Sequence, residues 1–386
     1  MSDPKQHVEK RLVDVEPELI GLSRWLYENP EVAHQEREAS ARISAFLGTH
    51  GFEIEHPAYG METAFVARAG TSGPEVIICA EYDALPVLGH ACGHNIIAAA
   101  AVGAGVSLAE LAGDLGCRVT VLGTPAEEGY GGKVDLLDAG AFSGAAVAMM
   151  VHPSSEDQLE PNILAVSRMK VSFHGKDSHA GSAPHLGRNA LDAVVQAYTG
   201  IAALRQHILP TDRVHGIITH GGDAPNIVPS FTSSSWYVRS KTREQLDDLR
   251  QRVMVCFEAA AKATGCTWES EPFGHGTFEI RSNRPLSTLF AQNSAALGRP
   301  MQPDEDVALT GSTDMGNVSH VVPTIHPMLA LDAGTATNHQ PEFAEATVGR
   351  SGERAIRDGA LAMAWTIIDL ATRDLWDDLT EPAGGP

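Results

Sequence analysis

The sequence predicts an α/β protein: an open sheet flanked by helices, interrupted by a smaller α+β unit. Three observations lead there. Short apolar runs at 75–80, 117–123 and 145–151 are rich in β-branched residues and alternate with helical stretches. Each run ends directly on acids, thiols or imidazoles, as happens where ligands collect at the carboxyl ends of parallel strands. Beyond about Ser167 the pattern changes to half-exposed alternating strands around long helices, and it reverts near Phe278.

Taken in order, residues 4–26 have helical spacing with mixed charge and predict an amphipathic opening helix. Asn29-Pro30-Glu31 breaks it, and 36–50 predicts a second helix ending near Gly51. Strands follow at 52–55, 64–69 and 75–80. The run Glu81-Tyr82-Asp83-Ala84-Leu85-Pro86 then leads into Gly89-His90-Ala91-Cys92-Gly93-His94. The alanine-rich stretch 95–113 predicts a helix with Asn95 as its N-cap. A strand at 117–123, a short helix near 134–139 and a strand at 145–151 ending on His152-Pro153 complete the first part. In the middle, strands at 169–174, 215–220, 232–239 and 267–272 with helices at 189–206 and 243–264 give a β-α-β-β-α-β order. The last part ends in a helix at 350–372 and a tail, 381–386, of disordered composition. The expected domains are therefore 1–167 with 278–386, and an inserted 168–277.

Composition narrows the functional classes. At 386 residues the chain exceeds one ordinary core. A hydrophobic content of 43% and a charged content of 20% are those of a soluble globular protein. A net charge of −21 argues against nucleic acid or an anionic membrane as partner. The five cysteines are odd in number and form no CxxC, so reduced thiols in the cytoplasm are expected. The first eighteen residues lack the apolar core of a signal peptide, and no stretch approaches a membrane span.

The chemistry is concentrated on the strand ends. Cys92 and His94 are one residue apart, so on extended chain their side chains share a side and can share an ion. Gly89 and Gly93 permit tight backbone, while Asp83 and Glu81 can supply or orient oxygen ligands. Any of these residues alone is more simply a buried thiol or a hydrogen-bonded histidine. Their concentration on one loop is not explained by packing. Glu127 and Glu128 follow a strand directly, and adjacent carboxylates point different ways. One can therefore bind a metal while the other addresses a water, although an exposed acidic turn has the same sequence. His152 and His339 complete the donors, supported chiefly by their company. Together these groups suit two divalent ions with N, O and S ligands. Other signatures fail: there is no GxxxxGK[ST], and Lys133 is followed by valine. Gly103-Ala104-Gly105 sits inside a helix, and HExxH, GxSxG and the zinc-deaminase pattern are absent.

Several ordered stretches carry a resemblance over nearly the whole length: ENPEVAHQE, AEYDALP, GHACGHN, PAEEG, HP at His152, KDSHAGSAPHLGRNA, NIVP, GSTD and TNH. With them the chain resembles the M20 family of metallopeptidases, in its amidohydrolase and carboxypeptidase-like branch. AEYDALP with GHACGHN is more similar to aminobenzoyl-glutamate hydrolase-like and dipeptidase-like members than to auxin-conjugate hydrolases.

The resemblance implies a zinc-peptidase-like α/β catalytic domain with an inserted ferredoxin-like lid and dimerisation domain, hence a homodimer. It implies Cys92, His94, Glu128, His152 and His339 as ligands of two divalent ions, Mn²⁺ or Zn²⁺. The cysteine loop replaces the usual first histidine motif, where this chain has Glu81. Glu127 matches the general base and Asp83 the aspartate that buttresses the site. His179 matches the histidine that reaches the site of the partner protomer and steadies the oxyanion, and Asn226 and Arg239 resemble substrate-binding positions. The expected reaction is hydrolysis of the amide bond of a small N-acyl or N-aroyl amino acid or dipeptide by a metal-activated water. Two rivals stand beside it: a cysteine-nucleophile amidase using Cys92 with His94 or His90, and a metal-dependent binding protein without catalysis.

Overall fold

The computed structural model of the chain describes residues 3–301 and 311–380, so the tail at 381–386 lies outside the described residues. It forms two compact units, residues 3–162 with 280–301 and 314–380, and residues 163–279 with 311–313.

The first unit opens with α1 (Pro4–Glu28), where Asp3 caps the amino end by accepting from Lys5 N–H and Pro4 occupies a first-turn position. Asn29 N–H closes the helix on the Trp25 and Leu26 carbonyls before Pro30. Then come α2 (Arg37–Thr49), β1 (Glu53–Glu55), β2 (Phe65–Ala69), β3 (Glu75–Ala80), α3 (His94–Ala109), α4 (Ala112–Leu115), β4 (Arg118–Gly123), α5 (Gly132–Asp138), β5 (Ala145–Met149) and β6 (His152–Ser154).

The inserted unit contributes β7 (Ala165–His174), α6 (Ala190–Leu204), β8 (Arg213–His220), β9 (Phe231–Ser240), α7 (Arg243–Thr264) and β10 (Thr267–Pro272). The chain then returns as α8 (Arg284–Ala296), α9 (Met315–Ser319), β11 (Thr324–Ile325), β12 (Met328–Ala330), α10 (Pro341–Thr347) and α11 (Arg350–Thr372).

The large sheet has the order β1-β2-β4-β3-β5-β11. Strands β4, β3, β5 and β11 run parallel, and β2 is antiparallel to β4. The parallel strands are continuous apolar runs because both faces are covered. Along β3, Val76, Ile78 and Ala80 pack into the core shared with α1, α3 and α11. Ile77 and Cys79 pack to the opposite side with Leu136, Met315 and Val318. With β3, β4 and β5 parallel, their carboxyl ends share one edge, and 81–94, 124–131 and 150–152 leave from it.

α3 is buried from His94 to Leu108, with aliphatic side chains on every side. A Cβ at Gly103 would lie 2.9 Å from Leu19, and one at Gly105 would lie 2.4 Å from Val121, so these glycines admit close packing. Asn95 is not the N-cap that the sequence led one to expect. α3 begins at His94 behind a left-handed Gly93, and Asn95 sits inside the helix with its amide on Ser23 Oγ and Thr347 Oγ1. The helix also stops at Ala109 rather than near 113. His152 does not end β5 but begins β6, which pairs in parallel with β12.

The inserted unit is an antiparallel sheet, β10-β7-β9-β8, with α6 and α7 packed on it around Trp236, Phe257 and Phe173. Its β-α-β-β-α-β order and strand arrangement are ferredoxin-like. Among the described residues no helix is long and apolar enough to cross a membrane.

Candidate metal centre

Side chains from the loops that follow β3, β4 and β5, joined by His339, converge at the sheet edge of the first unit. Donor atoms of Cys92, His94 and His152 all lie within 4.8 Å of one another, as do those of Cys92, Glu128 and His339, and those of His94, Glu127 and Glu128. Asp83 lies behind them. Cys92 Sγ is 3.6 Å from His152 Nε2, and His339 Nε2 is 3.4 Å from Glu128 Oε1.

The local folding that achieves this differs from the expected extended pair. Gly93 has φ +85°, and a Cβ there would come 2.2 Å from the Pro153 ring. Both facts demand glycine, and the left-handed turn, rather than strand alternation, brings Cys92 beside His94. Asn338, missed in the sequence, donates to Cys92 O at 3.2 Å and to Pro153 O at 3.1 Å. His339 N–H donates to Ala91 O at 2.8 Å. The TNH turn is thus bound to both other loops, which holds His339 at φ +70°.

His94 and His152 are each oriented through Nδ1. His94 Nδ1 is 2.9 Å from Asp83 Oδ1, and His152 Nδ1 is 2.7 Å from Pro153 O. Donation from Nδ1 turns Nε2 toward the centre as the atom that can bind an ion, the arrangement metal-bound imidazoles use. The second oxygen of Asp83 accepts from Glu128 N–H at 2.9 Å, so one aspartate sets both a histidine and the acidic turn.

The electrostatics fit a cation. His94 Nε2, Glu128 Oε1 and Glu81 Oε2 are buried with no hydrogen-bond partner. Burial alone would lower His94, but Asp83, Cys92 and Glu81 around it outweigh burial and raise it well above the usual range. Burial pushes Glu128 up, and His339 and His94 more than reverse it. Burial takes His152 down to about 4, keeping it neutral and able to ligate. These N, O and S donors, together with the unpartnered atoms, fit two divalent ions.

Glu127 is different. Burial first, then Glu128, Glu81 and Asp314, raise its carboxyl well above the usual range. Its Oε2 is 3.9 Å from His94 Nε2, so it borders the centre as a proton-holding group. Cys92 is raised well above a free thiol, by burial and then by Glu128, so without an ion it is a thiol and not a thiolate. That speaks against the cysteine-nucleophile rival.

Behind the centre lie residues that sequence reasoning did not assign. Glu36 accepts from Ala126 N–H at 2.8 Å, holding Ala126 at φ +60° just before Glu127. Lys133 is buried between Glu81 and Asp314. His326 stacks on His152 with ring centroids 5.4 Å apart. A lysine inside the apolar run GKVDLL was the one available signal.

In the inserted unit, His179 Nδ1 accepts from the N–H groups of Gly181 and Ser182 at 3.2 and 3.1 Å, which leaves Nε2–H as an exposed donor. Asn226 shares this loop cluster through its carbonyl, which accepts from Ala180 N–H at 2.9 Å. Arg239 does not join them. On β7–β9 His174 pairs with Phe231, next to the His179 loop, whereas Arg239 pairs with Val166 at the far end. Eight residues of strand separate these ends by about 26 Å.

Comparison with known proteins places the chain in a family. The M20 peptidase dimerisation domain profile matches residues 166–265. The chain is 40% identical over 388 residues to the Xaa-Arg dipeptidase of Mus musculus, spanning 95% of this chain and 88% of that protein. It is 30% identical to one chain of the p-aminobenzoyl-glutamate hydrolase of Escherichia coli (strain K12), over 74% of this chain and 64% of that one. A solved Bacillus subtilis structure, described as a dinuclear metal binding peptidase from the M20 family, superposes with a TM-score of 0.73 at 21% identity. That match covers 93% of this chain and 99% of the other.

Proposed function

The chain belongs to the M20 family of metallopeptidases, as a metal-dependent hydrolase of amide bonds in small acyl amino acids or dipeptides, and we propose how its own residues divide that work. The reading is carried by one observation: Cys92, His94, Glu128, His152 and His339 meet within ligand distance of shared points, with Glu127 Oε2 at their border, 3.9 Å from His94 Nε2. Two divalent ions, Mn²⁺ or Zn²⁺, would be held there and would supply Lewis acidity and a more acidic water. Asp83 fixes the His94 ring and the Glu128 backbone. Glu127, as its carboxylate, takes the proton of the attacking water and delivers it to the leaving nitrogen. His179 presents Nε2–H to the oxyanion.

The composite site is built from two copies of the chain. The separation of the His179 and Asn226 cluster from Arg239 supports this, since one small substrate cannot touch both ends of one sheet. The β8 edge supports it too. It exposes Ile217 and Ile218, whereas the opposite edge, β10, carries Glu269, Glu271 and Pro272, residues that discourage pairing. In this reading His179 and Asn226 of one copy serve the metal centre of the other, and Arg239 binds the substrate carboxylate. The five cysteines are all free, which supports a cytoplasmic setting.

Hydrolysis of N-acyl and N-aroyl amino acids and of dipeptides, each with Mn²⁺ and Zn²⁺, tests the function. Dipeptides ending in arginine come first, following the mouse relative's name. Metal-dependent release of a free amino acid is the expected result. No turnover across the panel with either ion rejects the reading.

A further inference from the structure

Lys133 and Glu81 have no part in the mechanism above, yet both are completely withdrawn from solvent beside the metal centre. Lys133 Nζ lies 2.5 Å from Glu81 Oε1 and 2.8 Å from Asp314 Oδ1, and Lys133 N–H donates to Asp314 Oδ2 at 2.8 Å. The ammonium therefore holds one oxygen of Glu81 in place. The other oxygen, Oε2, has no hydrogen-bond partner and lies 3.4 Å from His94 Nε2, which is itself unpartnered. Because His94 directs Nδ1 at Asp83, its Nε2 is the atom that faces Glu81 Oε2. Two buried acceptor atoms so placed need a cation between them, a proton on Nε2 while no metal is bound and the metal ion once it is.

We propose that Glu81 is a further oxygen ligand of the ion held by His94, and that Lys133 is the positioning residue that anchors it. Oε1 is tied to the protein and Oε2 is presented to the ion, so the carboxylate binds through one oxygen and cannot swing away. Asp314, at the end of the GSTD stretch, balances the second half of the lysine's charge. Without the lysine two carboxylates would face each other across the same buried space, so the ammonium also makes an acidic ligand tolerable there. The proposal rests on the metal centre described above.

The test is Co²⁺ binding to the full-length protein, read by equilibrium dialysis and by visible absorption. Glu81→Gln keeps the side chain's shape and removes its charge. Glu81→Asp keeps the charge for Lys133 but draws the oxygen back by one methylene. Both variants should still saturate with two ions, and the affinity for one of them should fall about 10- to 100-fold. The cobalt d–d bands should shift, while the sulfur-to-cobalt charge transfer from Cys92 remains. In the double variant Lys133→Met/Asp314→Asn, which keeps the net charge of the buried trio unchanged and frees only Glu81 from its anchor, the same ion should be weakened although Glu81 is intact. Unchanged affinity and unchanged d–d bands in whichever Glu81 variant melts like the native protein would overturn the proposal and leave the metal centre standing. Native protein that takes up no Co²⁺ would overturn the metal centre and the proposal together.

Discussion

The two units hold their functional side chains in opposite ways. In the first, Asp83, Glu81, His94, Lys133 and Asp314 are removed from water, and each is fixed by another charged group. In the inserted unit His179 and Asn226 are exposed, and backbone groups of their own loops do the holding. Buried charge is tolerable only when its geometry is settled in advance, which is also what a centre that must stabilise developing charge requires. Exposed groups held by backbone alone are suited to being completed by another body. The difference separates a preorganised chemical centre from a surface that the two-copy proposal has acting in trans, and it can be broken experimentally at several points.

The largest effect is expected at Glu127. Glu127→Ala should lower kcat by about 10²- to 10⁴-fold, the range of general acid–base catalysis, with metal content and melting unchanged. Near-native turnover would remove Glu127 from the reaction. His179→Ala should come next, with kcat reduced about 10²- to 10³-fold, as for loss of an oxyanion donor. The division between units then makes a sharper claim. Each of these variants is inactive alone, but mixing them should restore about a quarter of native activity, because mixed dimers hold one intact site. If mixing restores nothing after exchange of protomers is demonstrated, the site is completed within one chain.

How much of this was legible in the sequence follows the same division. The apolar runs ending in Glu81, Glu127 and His152 revealed the parallel sheet and its active edge, because strands buried on both faces have little freedom of composition. The gathering of thiol, imidazole and carboxylate at one edge was readable since together they serve no packing purpose. The route by which Cys92 meets His94 was not readable. Alternation on an extended strand gave the right neighbours for a wrong reason, and the left-handed Gly93 became clear only with Pro153 packed against it. The buried supports were hidden for a similar reason. Lys133 and Glu36 look like ordinary surface charges until their partners, 181 and 90 positions away, are placed beside them. In the inserted unit strands and helices were legible from alternation. The separation of Asn226 from Arg239 needed the β7–β9 register, which no local pattern encodes.

Glu36 tests how far the first unit depends on withdrawn groups. Burial first, and then Asp83, raises its carboxyl from 4.5 to about 7. Between those values the folded chain holds this proton more often than the unfolded chain, so stability falls as pH rises through the interval. The contribution is on the order of 3 kcal/mol. Glu36→Gln retains an oxygen for Ala126 N–H and cannot titrate. Urea midpoints of metal-free protein at about pH 5 and about pH 7.5, on either side of that interval's upper end, should therefore diverge less in the variant than in the native chain. An identical divergence in both would assign the pH dependence elsewhere.

Arg239 gives the smallest expected effect and tests the other side of the contrast. Its guanidinium and that of Arg168 each lie 5.7 Å from the Tyr237 ring, and no carboxylate pairs with Arg239 among the described residues. Burial, and then Arg168, lowers its pKa below the usual value, the signature of a cation in want of an anion. A substrate carboxylate would supply one through two parallel hydrogen bonds, a geometry that lysine cannot reproduce. Arg239→Lys should therefore raise KM about tenfold with kcat nearly unchanged, the pattern of a lost ground-state contact. Amidating the substrate carboxylate should cost the native enzyme a similar factor and cost the variant much less, because the contact is already gone. Equal losses in both enzymes would make Arg239 a charge at a strand end and place carboxylate recognition on other residues.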